Sequence, residues 1–223
     1  MLLKLLPQML VDGLQLGFVY AIVALGYTMV YGVLHFINFA NAEIFMCGAF
    51  IGAEVLIALL GAAAGGGWTV FAFAVALLAA LVLTGLLGVF IERVAYRPLR
   101  SAPRLVPLIS AFGVSYFLQD FVRVAETFAH NSFYLTLPSI FKREFVLNEY
   151  TKVTVRAILI VGVCLAALAI LYTFIHRTKV GSAIRCVSQN QTMSALLGIH
   201  VNKTITTTFF VGAAMGGVAG TMF

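Results

Sequence analysis

Charge is scarce in this chain. Asp, Glu, Lys and Arg make up 10 % of its 223 residues, where a soluble domain carries about 25 %. With 62 % hydrophobic residues and a mean hydropathy of +1.04, this scarcity excludes water as the main solvent of the surface. Apolar and polar residues do not alternate with period two, which excludes a membrane β-barrel. Lipid offers no partner to free backbone N–H and C=O groups, so the long apolar runs are helices. Cysteine is sparse too: Cys47, Cys164 and Cys186 stand far apart with no C-x-x-C pair. Neither a zinc site nor a disulfide framework is signalled, and the three read as small packing residues.

Motifs of chemistry are also missing. None of the five lysines follows a glycine, so no P-loop can cradle ATP phosphates. There is no H-E-x-x-H, His35, His130, His176 and His200 have no ligand spacing, and G-x-S-x-G is absent. The sequence predicts no catalytic residue, no metal site and no cofactor bound by this chain. Before Asp12 there is one lysine and a short leucine patch without a small-x-small cleavage site, so the first span is expected to direct insertion itself.

What is present is a series of apolar runs. Crossing a hydrocarbon core of ~30 Å takes about 20 residues, and such runs fall near 10–32, 42–60, 69–91, 105–124, 154–175 and 205–223. The fold class expected is all-α, a polytopic bundle of about six spans in one domain over 1–223. The last run reaches the terminus without flanking anchors and reads as a truncated span.

Loop charge sets orientation. The net charge of +6 sits in short blocks between spans, which is the positive-inside pattern rather than a nucleic-acid surface. Arg93, Arg97, Arg100 and Arg104 follow the third run against Glu92 alone, and Arg177, Lys179, Arg185 and Lys203 follow the fifth without any acid. Both loops are expected in the cytoplasm. The 125–153 segment balances its charges and is placed outside, where Pro138 breaks any helix. One threading then puts the N-terminus outside, the 33–41 turn inside or re-entrant, and the glycine-rich 61–67 linker outside.

Within the first run Gly13, Gly17, Tyr20, Ala24, Tyr27 and Tyr31 share one helical face. Gly13 with Gly17, Gly48 with Gly52, and Gly212, Gly216 and Gly220 recur four residues apart. That spacing lets helix backbones approach closely in lipid. Tight packing alone and faces that slide as a pore opens both fit it. Polar residues at membrane depth are costly and therefore informative. Asn38, Asn41 and Glu43 cluster between two runs, with Glu54 three turns on. They read equally as helix caps or as groups lining a translocation path. Ser115, Gln119 and Arg123 follow at i, i+4 and i+8 in the fourth run, and Asp120 is placed to pair with Arg123. The 181–198 segment mixes apolar Ala183, Ile184, Val187 and Met193 with Arg185 and Gln189–Gln191, and predicts one short helix ended by Gly198. It suits a partner's groove or the lipid interface.

GFVYAIVALGYTMVYGV at 17–33, INFANAE at 37–43, ERVAYRPLR at 92–100, LISAFGVSYFLQD at 108–120 and GSAIRCVSQNQTMSALLGI at 181–199 resemble, in order and spacing, the LivH-type permeases of branched-chain amino acid ABC importers. The resemblance implies a bacterial inner-membrane permease that forms half of a translocation path. Its partners would be a second permease subunit, two P-loop ATPase subunits carrying ATP and Mg, and an external binding protein delivering leucine, isoleucine or valine. The 176–204 loop would be the coupling loop, with Gly181, Arg185, Ser194, Ala195, Leu197 and Gly198 meeting an ATPase. Tyr20, Tyr27, Tyr31, Asn38, Asn41, Glu43, Ser115 and Gln119 would be candidates for the path. The chain departs from the family pattern at Asn41 and Ala42, where INFAHGE is usual, and at Gln189–Gln191, where an acid is usual. Family members also continue through further spans. Three rivals stand beside this reading: a permease for urea or short amides, an ATP-independent channel or carrier, and a non-transporting scaffold.

Overall fold

A computed structural model describes residues 2–60, 66–100, 102–103, 105–130, 144–148 and 151–223. Long helices dominate: α1 (Leu2–Leu34), α2 (Asn41–Leu60), α3 (Gly66–Ile91), α4 (Leu105–His130), α5 (Val155–Arg177) and α8 (Val201–Met222), with short α6 (Lys179–Gln189) and α7 (Gln191–Leu196) between the last two. All six long helices are long and apolar enough to cross a membrane, in the places expected from sequence. Their ends differ by a few residues, most at α1, which starts at Leu2 against the expected 10, and at α4, which runs to His130 against the expected 124. The β structure among the described residues is one antiparallel hairpin, β1 (Glu144–Asn148) with β2 (Thr151–Thr154), inside the segment assigned to the exterior. Pro138 and the 61–65 linker lie outside the described residues.

α8 is the centre of the bundle, with α1, α2 and α3 packed around it. Its sequence makes that possible, because glycine on both sides of a contact removes the side chains that hold backbones apart. A Cβ on Gly26 would lie 2.7 Å from the Gly212 carbonyl oxygen, and one on Gly217 would lie 2.8 Å from the Ala80 carbonyl oxygen. Gly48 faces the backbone of Gly217, and Gly220 faces that of Gly48 and Ala49. The threonines of α8 satisfy their hydroxyls locally: Thr207 donates to the Lys203 carbonyl and Thr208 to the Thr204 carbonyl, both at 2.9 Å. In lipid this removes the cost of an unpaired hydroxyl. Cys47 and Cys164 are buried in the apolar clusters around this centre.

Gly13 and Gly17 correct an expectation. Nothing lies within 4 Å of a Cβ built on either, so they pack against no other described helix of the chain. Of the rest of the stripe, Tyr20, Ala24 and Tyr31 are exposed and Tyr27 is half-buried. α1 packs instead through Val19, Ile22, Gly26, Val30 and Val33. Gly48, Gly52, Gly212, Gly216 and Gly220 are all buried.

Candidate functional site

Three connections that the charge pattern places inside do share one end of the bundle. α1 turns into α2 through His35, whose φ of 58° is left-handed, and through Asn38. The Asn38 Oδ1 accepts the Ala40 N–H at 3.1 Å and the Tyr96 hydroxyl at 2.6 Å. The segment after α3 is thereby tied to the 35–40 turn. The Gln191 side chain at the start of α7 donates to the Val33 carbonyl at 2.9 Å, which brings the 181–198 segment to the same place. The 33–41 connection is thus hydrogen-bonded to each of the other two.

α3 does not simply stop. It widens into a π-helical turn, Glu92–Tyr96, and narrows into a 3-10 turn, Arg97–Leu99. This irregular stretch brings Glu92, fully buried, against Arg100. The Arg100 guanidinium also donates to Asn202 Oδ1 at 2.8 Å, and the Thr206 hydroxyl lies 2.9 Å from Glu92 Oε2. Burial lowers the Arg100 pKa from its usual value, while Glu92 acts in the opposite direction. A buried carboxylate is tolerable only when paired and fully bonded, and Glu92 has both an ion-pair and a hydroxyl partner. By composition Glu92 is only a counter-charge in a loop, and nothing in the residue pattern signals its place at the join of α3 and α8.

The polar residues proposed to line a path are divided among three places. Asn38 and Asn41 are buried at the basic end, and Asn38 is committed to turn geometry, which favours the cap reading for it. Glu43, in the first turn of α2, accepts from the Ser115 hydroxyl of α4 at 3.1 Å. Beside this pair Phe39 stacks on Phe112 with ring centroids 4.2 Å apart. Gln119 lies one turn further along α4 and is half-buried. Tyr20 and Tyr31 are exposed on the open face of α1, and Tyr27, half-buried, lies parallel to Tyr31 at 6.5 Å. Asp120 and Arg123 pair at 3.5 Å on the exposed side of α4.

The 181–198 segment is two helices, not one. α6 begins where Thr178 caps it, accepting the Gly181 N–H at 3.0 Å. A side chain on Gly181 would run into the carbonyls of Phe174 and Ile175, so the tight corner after α5 requires glycine. α6 buries Gly181, Ile184 and Val187 and exposes Arg185. Asn190 then breaks the helix with extended backbone, and its side chain accepts the Met193 N–H at 3.0 Å to start α7. An asparagine three residues before a new amide is the signal that marks this break. Ser194 is buried, whereas Ala195, Leu196 and Leu197 are exposed, the two leucines at 77 % and 78 %. Gly198, at φ +82°, ends the turn in a conformation that glycine adopts without cost.

Six apolar helices around a glycine-lined centre, a polar pair between two of them, and an amphipathic helical hairpin at the basic end define a multi-pass transport permease domain. Residues 9–223 match the family described as branched-chain amino acid transport system, permease component, and the chain belongs to that family. It is 38 % identical to the high-affinity branched-chain amino acid transport system permease protein LivH of Escherichia coli K12, over 220 residues covering 96 % of this chain and 69 % of that protein. The LivH protein of Salmonella typhimurium LT2 is 37 % identical over the same shares. The BraD permease protein of Pseudomonas aeruginosa is 39 % identical over 221 residues, again 96 % and 69 % of the two chains. No solved structure matches. The chain is thus an integral membrane transport subunit rather than an enzyme, and acts as one component of a multi-subunit system.

Proposed function

We propose that this permease imports branched-chain amino acids across a bacterial inner membrane, with ATP and Mg held by two cytoplasmic P-loop ATPase subunits. A second permease subunit completes the path, and an external binding protein delivers leucine, isoleucine or valine. The observation that carries the reading is α7: a polar-ended membrane protein keeps Met193, Leu196 and Leu197 exposed at its basic end, where an apolar knob gains nothing from water and fits a partner's groove. Glu43, Ser115 and Gln119 offer polar groups beside the apolar Phe39–Phe112 stack. That mixture suits a zwitterion with an aliphatic side chain. ATP drives alternation only if the ATPases bind the outward and inward states with different affinity, and α6–α7, bonded to α1 through Gln191, is the element that carries this difference.

Reconstituted vesicles holding the permeases, ATPases and binding protein should take up labelled leucine, and not labelled urea, in an ATP-dependent way. Uptake without nucleotide would remove the reading. In the same vesicles Arg185→Ala and Gly198→Ala should leave the complex assembled while uncoupling hydrolysis from uptake. Sidedness has its own check, because Cys47 and Cys164 are buried and Cys186 is partly accessible. A membrane-impermeant thiol reagent should spare Cys186 in intact cells and label it in inverted vesicles.

A further inference from the structure

Beside α7 lies a pocket of about 460 Å³ whose walls include Arg97, Ala195, Ile199, His200, Asn202 and Lys203. Its charge is of one sign. No acidic side chain lines it, and Arg97, His200 and Lys203 have no ion-pair partner among the described residues. Glu92, the one acid of the adjoining segment, is already committed to Arg100 and Thr206. His200 stands at the N-cap of α8 without a side-chain capping bond, so the first N–H groups of a 22-residue helix add partial positive charge to the same wall. Asn202, on that wall, is held in place by Arg100 at 2.8 Å.

We propose that this pocket receives an acidic side chain of the ATPase subunit that α7 engages. The inference rests on the reading that α7 meets an ATPase, and adds the chemistry of a second contact. Two features favour a protein carboxylate over other anions. Ala195 belongs both to α7 and to the pocket wall, so an occupant of one abuts the other. The exposed Met193, Leu196 and Leu197 next to the uncompensated Arg97 and Lys203 give an apolar centre with a charged margin, the composition of a protein interface. The leucine knob supplies area, and the pocket fixes the register in which the knob sits, because like-charged or neutral surfaces gain nothing there.

The test uses the assembled complex. The paired change Arg97→Gln and Lys203→Gln should lower the affinity of the purified permease for its ATPase subunits about tenfold, and should flatten the dependence of that affinity on NaCl. Both side chains are exposed, so the thermal stability of the permease should not change. The reversal Arg97→Glu should weaken binding further and should be rescued by Lys at one acidic position on the ATPase surface, a rescue that misfolding cannot mimic. If the paired variant binds the ATPase with unaltered affinity and salt dependence while Leu196→Ala with Leu197→Ala does not bind, the pocket is not part of the interface and the inference falls, with the functional reading intact. If ATPase binding is unchanged but a requirement for phosphatidylglycerol in the vesicles disappears, a lipid headgroup is the occupant and the inference also falls. Failure of the unaltered permease to hold any ATPase removes the functional reading together with this one.

Discussion

α8 and α5 invert the rule that soluble proteins teach. α5 is the more apolar of the two, rich in Leu, Ile and Val, yet only 17 % of its most hydrophobic stretch is buried, against 72 % for the glycine- and threonine-rich α8. In water the oily helix would be the core. In lipid, side chains on the outside are already among hydrocarbon, so association is driven by close contact and satisfied polar groups, and these favour small residues. The most buried long helix of this protein is accordingly its least greasy, and the greasiest, α5, lies at the periphery.

Breaking the centre should cost most at its charged join. Glu92→Ala strands Arg100 beside α8 without its counter-charge, and should destabilise the fold by about 3–5 kcal/mol, measured by unfolding in mixed micelles through the fluorescence of Trp68. Glu92→Gln should cost less, since it keeps an acceptor for Thr206. Next comes Gly217→Leu, whose side chain has no space between Ala80 and Thr84 and should cost about 3 kcal/mol by overpacking. Asn190→Ala removes the cap of α7 and should cost about 1 kcal/mol, confined to that helix. Faster hydrogen exchange at Met193 with an unchanged global unfolding midpoint would show it. At the other end of the scale, Gly13→Leu on the open face of α1 should change the stability of the isolated chain by less than about 0.5 kcal/mol. A large loss there would erase the contrast between centre and periphery.

Much of this was legible in the residues. Apolar run length located all six spans, and arginine blocks grouped the connections after α3 and α5, because both signals answer to the bilayer and not to the details of packing. Glycine spacing was a weaker guide. It marked Gly48, Gly52, Gly212, Gly216 and Gly220, which are buried, but also Gly13 and Gly17, which are not, and it passed over Gly26 and Gly217, which make close backbone contacts with helices on either side. A four-residue interval says that two glycines share a face, and nothing about whether another helix lies opposite. The polar cluster divides in the structure: Asn38 bonds Ala40 and Tyr96 in the turn, while Glu43 bonds Ser115 of α4. The break at Asn190 was readable in principle, but the apolar pattern of 181–198 continues across it and concealed the second helix.

The widened turn at Glu92–Tyr96, closed by the Arg97 N–H on the Glu92 carbonyl, carries a bookkeeping of register. An ordinary helix advances about 100° per residue, so removing a single residue from this stretch would swing everything after it by that angle. Arg100 would then leave both Glu92 and Asn202, and the buried Glu92 would keep its Thr206 hydroxyl but lose its counter-charge. The spacing of eight between acid and base is therefore as much a part of the structure as the residues themselves, and a deletion here should harm the protein more than most substitutions.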